Sequence, residues 1–315
     1  MSGSSSEGAS RDGYGNALLR LSANPNVVVL EADLGKSTKS CHFRTEYPER
    51  TISLGIAEQN MMLVSAGLAA SGKIPFASTF AIFTERAFEQ IRNGIARPGL
   101  NVHICGSHGG IHTGSDGSSA QSIEDLAIFR SLPNMTIIHP ADDISAEELT
   151  MQIANLEGPS YTRTVRNKVT RSYSEETKGK LEIGKGVILR EGKDVVIIAC
   201  GVMVSKSIVA ANILEEEGIS TAVIDMHTIK PLDSELIDLF SDKCGCIVTA
   251  EDHSIIGGLG GAIAEHNSRN NLVPIEMVGV NDRFGESGGS EELFRIMGLT
   301  ENDIVKAALK SISRK

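Results

Sequence analysis

The chain has 315 residues, 41% of them hydrophobic and 22% charged, which gives room for two domains at roughly 100–200 residues each and the composition of an ordinary globular protein. A formal net charge of −10 provides no basic face for the phosphates of nucleic acid or an anionic membrane, so neither is expected as the main partner, while a small anionic substrate stays open through local arginine clusters. No run of about 18 apolar residues is present, which excludes a membrane-spanning helix of that kind, and cysteines at 41, 105, 200, 244 and 246 fit the reduced thiols of a cytoplasmic protein better than a disulfide framework.

From the N-terminus, residues 1–8 lack the basic-then-apolar order of a signal peptide and read as a disordered tail. A helical pattern at about 12–22 leads into a strand at 26–30. Helices at 57–71, 84–96, 122–131 and 143–155 then alternate with strands at 74–79, 101–105 and 135–139. Apolar strands of this kind, interleaved with helices, predict a parallel sheet covered on both faces. The stretch 166–183, polar and rich in both charges, reads as a linker. Beyond it the alternation restarts with strands at 194–201, 221–225 and 246–250 and a helix near 205–216. The expected fold is therefore α/β, with two doubly wound domains at 9–165 and 184–315.

Two glycine and cysteine motifs carry little chemistry. GGLGGA at 257–262 follows a strand and opens a helix, but from Gly258 the dinucleotide fingerprint finds Gly260 and then Ile263 where its third glycine belongs. A close-packed loop and helix start is the better reading, and a nicotinamide dehydrogenase is disfavoured. Cys244 and Cys246 form C-x-C with no second Cys/His pair at zinc spacing, so no metal site is assigned there.

GIAEQN at 55–60 places one carboxylate, Glu58, at the start of a helix whose two sides are both largely uncharged. The periodicity puts Ile56, Asn60, Leu63, Val64 and Gly67 on one side and Glu58, Met61, Met62 and Ser65 on the other, a helix buried all round. A buried carboxylate needs a partner or a proton. A catalytic acid and a helix-terminal cap both satisfy that need, and the residues alone leave the two level. PFASTFAIFTERAFEQ at 75–90 sets Phe80 and Phe83 after a strand end, as an aromatic wall for a flat heterocycle or as core. The stretch 106–134 opens as a long Gly/Ser loop that holds His108, His112 and Asp116 ahead of a helix, which suits an active site or a solvated surface loop.

Taken together, EADLG (31–35), GIAEQN (55–60), STFAIFTERAFEQIR (78–92), SHGGIHTGSDG (107–117), IEDLAIFRSLPNMTIIHPAD (123–142), IDMHTIKPLD (224–233) and TAEDHSIIGGLGGAIAE (249–265) resemble the transketolase family. The resemblance covers a pyrimidine-binding domain followed by a transketolase C-terminal domain, across nearly the whole chain. The second-half pieces are shared more widely among thiamin-diphosphate enzymes. The resemblance implies that Glu58 hydrogen-bonds N1′ of the aminopyrimidine of thiamin diphosphate, which activates the cofactor toward a ketose carbonyl. It implies cofactor contacts for Asp33, Leu34, Ile56, Phe80, Phe83 and Arg86, the last standing where many members carry Tyr. It also implies substrate contacts: His108, also a catalytic candidate, and Asp116 at the donor's hydroxyls, and Arg11, Ser37 and Arg163 at the sugar phosphate. Ala120 departs from the family, which typically has a second substrate-channel His at that position.

The Gly-Asp-Gly of the family's pyrophosphate-binding domain is absent from the sequence. The resemblance therefore implies the C-terminal half of a split transketolase, a transferase of carbohydrate metabolism in the manner of the pentose phosphate pathway. Mg2+ or Ca2+ and the diphosphate would be held by a separate N-terminal subunit in an α2β2 assembly. Rival readings are the β subunit of a 2-oxoacid dehydrogenase, a relative of deoxyxylulose-phosphate synthase, and a non-catalytic assembly subunit that kept the fold.

Overall fold

The computed structural model describes residues 6–315. Fourteen strands follow in chain order: β1 (Glu7–Gly8), β2 (Val27–Glu31), β3 (Thr51–Ser53), β4 (Ile74–Phe80), β5 (His103–Ser107), β6 (Thr136–Ile138), β7 (Ser160–Thr164), β8 (Val169–Thr170), β9 (Val187–Arg190), β10 (Val195–Ala199), β11 (Thr221–Asp225), β12 (Thr228–Lys230), β13 (Ile247–Ser254) and β14 (Ile275–Val280). The first large sheet has the order β12-β6-β7-β5-β4-β2-β3 and the second β14-β13-β10-β11-β9. Within the first, β3, β2, β4, β5, β7 and β6 are all parallel. The second is parallel except for β9, which runs antiparallel to β11. The α/β class with two mostly parallel sheets is thus as the alternation of apolar runs implied.

Burial explains the sheet pattern. Every residue of β2, β5, β10 and β11 is buried, because helices cover both faces and leave no side of the strand wet. Helix Ser10–Leu21 packs with helix Asp143–Ile153, which opens with a capping box between Asp142 and Ser145.

Three expectations change. The helix at 84–96 is broken into Ala81–Arg86, Phe88–Gln90 and a π-helical turn at Ile91–Ala96. The expected tail is structured where it is described: β1 pairs antiparallel with β8, while residues 1–5 lie outside the described residues. The stretch read as a linker is fastened at several points, since the Ser172 and Tyr173 N–H groups donate to the Asp142 carboxylate at 2.7 and 3.0 Å and the Tyr173 hydroxyl donates to Asp225 at 2.7 Å. Polar composition marked those residues as exposed chain, yet backbone pairing and one buried aromatic hold them in place.

The halves of the chain also share a sheet. Strand β12 comes from the second half and pairs antiparallel with β6 at the edge of the first sheet.

Candidate functional site

In an open parallel sheet, ligands bind beyond the carboxyl ends of the strands, because there the loops and helix N-termini converge. Strands β2, β4, β5 and β7 lie side by side and parallel. Their C-terminal ends therefore deliver Asp33 and Leu34, Phe80, His108, and Arg166 to one edge.

Glu58 is the first residue of helix Glu58–Ala70 and is 1% exposed. Its partner is Arg86, whose Nη1 donates to Oε2 at 3.1 Å from a side chain that is 55% exposed. The same guanidinium lies 5.7 Å from the centroid of the Phe83 ring. Phe83 stacks with Phe80 at 5.7 Å and 7°, and Phe80 with His108 at 4.0 Å and 20°. The result is a continuous run of flat surfaces, Phe83, Phe80 and His108, leading away from the carboxylate. This is the chemistry that holds a planar heterocycle by its faces and offers an acceptor to its edge. The helix itself differs from expectation. Glu58, Met61, Met62, Ser65 and Ala66 are buried, but Ile56 is 76% and Leu63 51% exposed, so the second apolar side is uncovered in the single chain.

His108 adopts φ 61°, a left-handed conformation that suits a residue held by its surroundings at a site. The Thr113 hydroxyl donates to its carbonyl at 2.6 Å, and its Nδ1 pairs with the Ser107 hydroxyl at 2.9 Å. Burial first, then the nearby charges of Arg11 and Arg166, push the imidazole pKa down to about 3. His108 is thus a neutral ring at physiological pH, able to orient a hydroxyl without adding charge.

Around it stand Arg11, whose Nη1 donates to the Ser37 carbonyl at 3.1 Å and whose buried Nε has no partner among the described residues, and Asp116, paired with Arg166 at 2.5 Å. Asp33 sits exposed at φ 61°, and Leu34 and Ser37 are half-buried. Ala120, at the position of the family's second histidine, is half-buried.

Arg163 does not join this group. It is 0% exposed, with Nε 3.3 Å from Asp125, Nη1 donating to the Asp252 carbonyl and Nη2 to the Ser122 carbonyl, each at 2.7 Å. A side chain inside a fully buried central strand points into the protein, so its fork ties the two halves together and is not offered to a phosphate. Arg166, two residues past the end of β7, takes the exposed place beside Arg11 and Asp116. Position separates the two arginines: in TRTVRNK, Arg163 lies inside the strand and Arg166 beyond its carboxyl end.

Two other motifs resolve. His112 is 4% exposed and tilts against Phe294 of the second half at 5.5 Å, apart from the His108 stack. The glycine-rich helix start near 258 is filled by the protein's own acid: Glu251 accepts from the N–H groups of Leu259 and Gly260 at 2.7 and 2.8 Å, which leaves a phosphate no place there.

The family profiles described as the transketolase pyrimidine-binding domain and the transketolase C-terminal domain match residues 7–171 and 184–304. The chain belongs to the transketolase family. It is 45% identical over 308 residues to a Methanocaldococcus jannaschii protein assigned provisionally as a transketolase C-terminal section, covering 97% of this chain and 96% of that one. A 6-deoxy-6-sulfo-D-fructose transketolase subunit from Clostridium sp. strain MSTE9 is 41% identical over 307 residues, 97% of this chain and 95% of that one. A solved structure described as a split gene transketolase, inactive beta4 tetramer, superposes with a TM-score of 0.91 at 48% identity, covering 98% of this chain and 99% of that chain. Against mammalian transketolases the chain spans about half of their length, 49% of the human protein and 48% of the rat one.

Proposed function

We propose that this chain is the C-terminal subunit of a two-subunit, thiamin-diphosphate-dependent transketolase that moves a two-carbon ketol unit from a ketose phosphate to an aldose phosphate. The observation that carries the reading is one strand edge holding both a buried Glu58 beside a Phe83–Phe80–His108 stack and a charged group made by Arg11, Asp116 and Arg166. A buried acceptor next to aromatic faces fits an aminopyrimidine ring, whereas the charged group fits a phosphorylated, polyhydroxylated chain.

Bound thiamin diphosphate supplies a carbon nucleophile for the ketose carbonyl and a sink for the electron pair of the broken carbon–carbon bond. Glu58 accepts the hydrogen bond of the ring's N1′. Phe80 and Phe83 hold the ring face, with Asp33, Leu34 and Ile56 around it. His108, neutral, and Asp116 orient the donor's hydroxyls, so that the carbonyl is presented in one pose and little rotational freedom remains to be lost. Arg11 and Arg166, with Ser37, hold the phosphate, and Arg166 replaces Arg163 in that role.

The divalent metal and the diphosphate fall to an N-terminal subunit, in an α2β2 assembly. Support comes from the share of the mammalian proteins that the chain spans and from the split-gene description of a near structural relative. A reducing, cytoplasmic setting agrees with five free cysteines, and no helix among the described residues is long and apolar enough to cross a membrane.

The test is a two-carbon transfer assay with xylulose 5-phosphate and ribose 5-phosphate, thiamin diphosphate and Mg2+. It is run on this chain alone, on the chain with its candidate partner, and on the pair carrying Glu58→Ala. Activity in the wild-type pair only is expected, with at least a hundredfold loss in the variant. Turnover of a 2-oxoacid in place of the ketose would move the chain to the dehydrogenase branch, and preference for a sulfonated ketose would change the donor. Full activity with Glu58→Ala would overturn the mechanism.

A further inference from the structure

The Glu58–Arg86 pair is lopsided. The carboxylate is 1% exposed and the guanidinium side chain 55% exposed. Arg86 gains little from the contact, since a half-exposed arginine is well solvated. Glu58 gains a great deal, because a bare carboxylate at that depth is strongly penalised. The geometry of the contact is also particular. The guanidinium is a planar N–H donor placed at Glu58 Oε2 at 3.1 Å and within reach of an aromatic face, 5.7 Å from the Phe83 centroid. Planar, edge-donating and lying by an aromatic ring is the description of the ligand that Glu58 and the phenylalanine stack are suited to receive.

We propose that Arg86 is a placeholder for the cofactor's aminopyrimidine: its guanidinium satisfies Glu58 until the ring arrives and then leaves the carboxylate. The inference rests on the reading of Glu58 as the ring's hydrogen-bond acceptor. Arg86 is built for such an exchange. It ends the short helix Ala81–Arg86, its backbone carbonyl accepts from the Gln59 side-chain amide at 3.3 Å, and its side chain is 55% exposed. Cofactor binding then competes with an internal ion pair, and the apparent affinity is reduced by the share of molecules in which the pair is closed. The pair, in return, keeps a buried acid from being left bare.

The experiment is calorimetric titration of thiamin diphosphate, with Mg2+, into the two-chain complex. Wild type is compared with Arg86→Met, which keeps the stem over Phe83, and with Arg86→Gln, which keeps a planar donor without the charge. Binding two- to tenfold tighter in Arg86→Met, with Arg86→Gln between it and wild type, is expected. A thermal melt of this chain alone completes the test. Arg86→Met should melt below wild type, and adding Glu58→Gln to it should recover the loss, since a neutral amide no longer needs a cation. Equal or weaker cofactor binding in both variants, with both folded, would overturn the placeholder, and weaker binding would make Arg86 a lasting contact of the ring. Absence of any cofactor binding by the wild-type complex would instead overturn the reading of Glu58 on which the inference stands.

Discussion

Arg163 and Arg166 stand three positions apart and face opposite environments. Within β7 every residue is buried, and the Arg163 guanidinium there touches Asp125 and two carbonyls, one of them from Asp252 in the second half. Replacing Arg163 with Met takes the cation from the 0% exposed Asp125 carboxylate and leaves it the Tyr161 hydroxyl, a change that costs about 3–5 kcal/mol when a buried pair is broken from one side. Chemical denaturation of the variant should show a loss of that size. Arg166, with a side chain 37% exposed and only Asp116 as its pair, is different. Arg166→Ala should leave the melt nearly unchanged and lower kcat/KM for phosphorylated ketoses about ten- to hundredfold, the range of one charge-assisted contact. An unphosphorylated donor such as hydroxypyruvate should be little affected. If that donor suffers equally, Arg166 does not hold the phosphate.

Among the elements, the helix Glu58–Ala70 separates core from surface on a sequence that is apolar on both sides. Met61 is 0% exposed and Leu63 51%. Met61→Ala should therefore cost about 2–5 kcal/mol, while Leu63→Lys should stay within about 0.5 kcal/mol for the chain alone, both read from urea midpoints. Hydropathy could not draw this distinction, because an apolar side chain signals burial without saying in which body it is buried. The same limit decides which strands were legible. Runs such as Val27–Glu31 and Val195–Ala199 are apolar on both faces and announce themselves. Ser160–Thr164 is equally buried, but its sequence, SYTRT, meets the interior with polar groups, of which Ser160 pairs with His103, Tyr161 with Asp125, Thr164 with Cys105 and Arg163 with two carbonyls. Thr228–Lys230 was legible only as part of a motif, since its strand exists by pairing across the halves with β6. The site shows the same division: Glu58, the phenylalanines and the His108 loop stood out as residue types in odd surroundings, while Arg166 needed the strand end to be placed first.

At the scale of the whole molecule, the two halves are cross-tied at the site itself. The Asp252 carboxylate accepts from the N–H groups of Ile111 and His112 at 2.8 and 3.0 Å, and Gln121 donates both to the Gly114 carbonyl and to that of Glu286 at 2.9 Å, so the loop carrying His108 is positioned from the second half. Packing of this kind keeps ionisable groups uncharged. Burial pushes His103 down to about 3 and His227 to about 4, and burial with the charges of Arg11 and Arg166 takes His108 to about 3. Burial also pushes the carboxyls of Glu85 and Asp225 up to about 8, against the hydrogen bonds of Ser122 and Tyr173. The depressed histidines contribute stability that is present above the ordinary value of 6.5 and is lost as pH falls toward 3–4. The raised carboxyls contribute stability that is present below their ordinary values of 4.5 and 3.8 and is lost as pH rises through about 8. Where the two windows overlap, the depressed histidines, with His112 and His139 also lowered by burial, outnumber the raised carboxyls, which include Glu251, so stability falls toward acid. Above pH 6.5 or so the histidine contribution is complete and stability falls toward alkali through the carboxyls, then from about 9 through the buried thiols of Cys105 and Cys244, which burial pushes up to about 12 and about 11. Thermal melts across pH 4–9 should therefore peak at about pH 6.5. Asp225→Asn, which keeps an acceptor for the Tyr173 hydroxyl, should remove part of the alkaline decline and leave the acid limb in place; a melting temperature that climbs steadily from pH 6 to 9 would contradict the burial of both carboxyls.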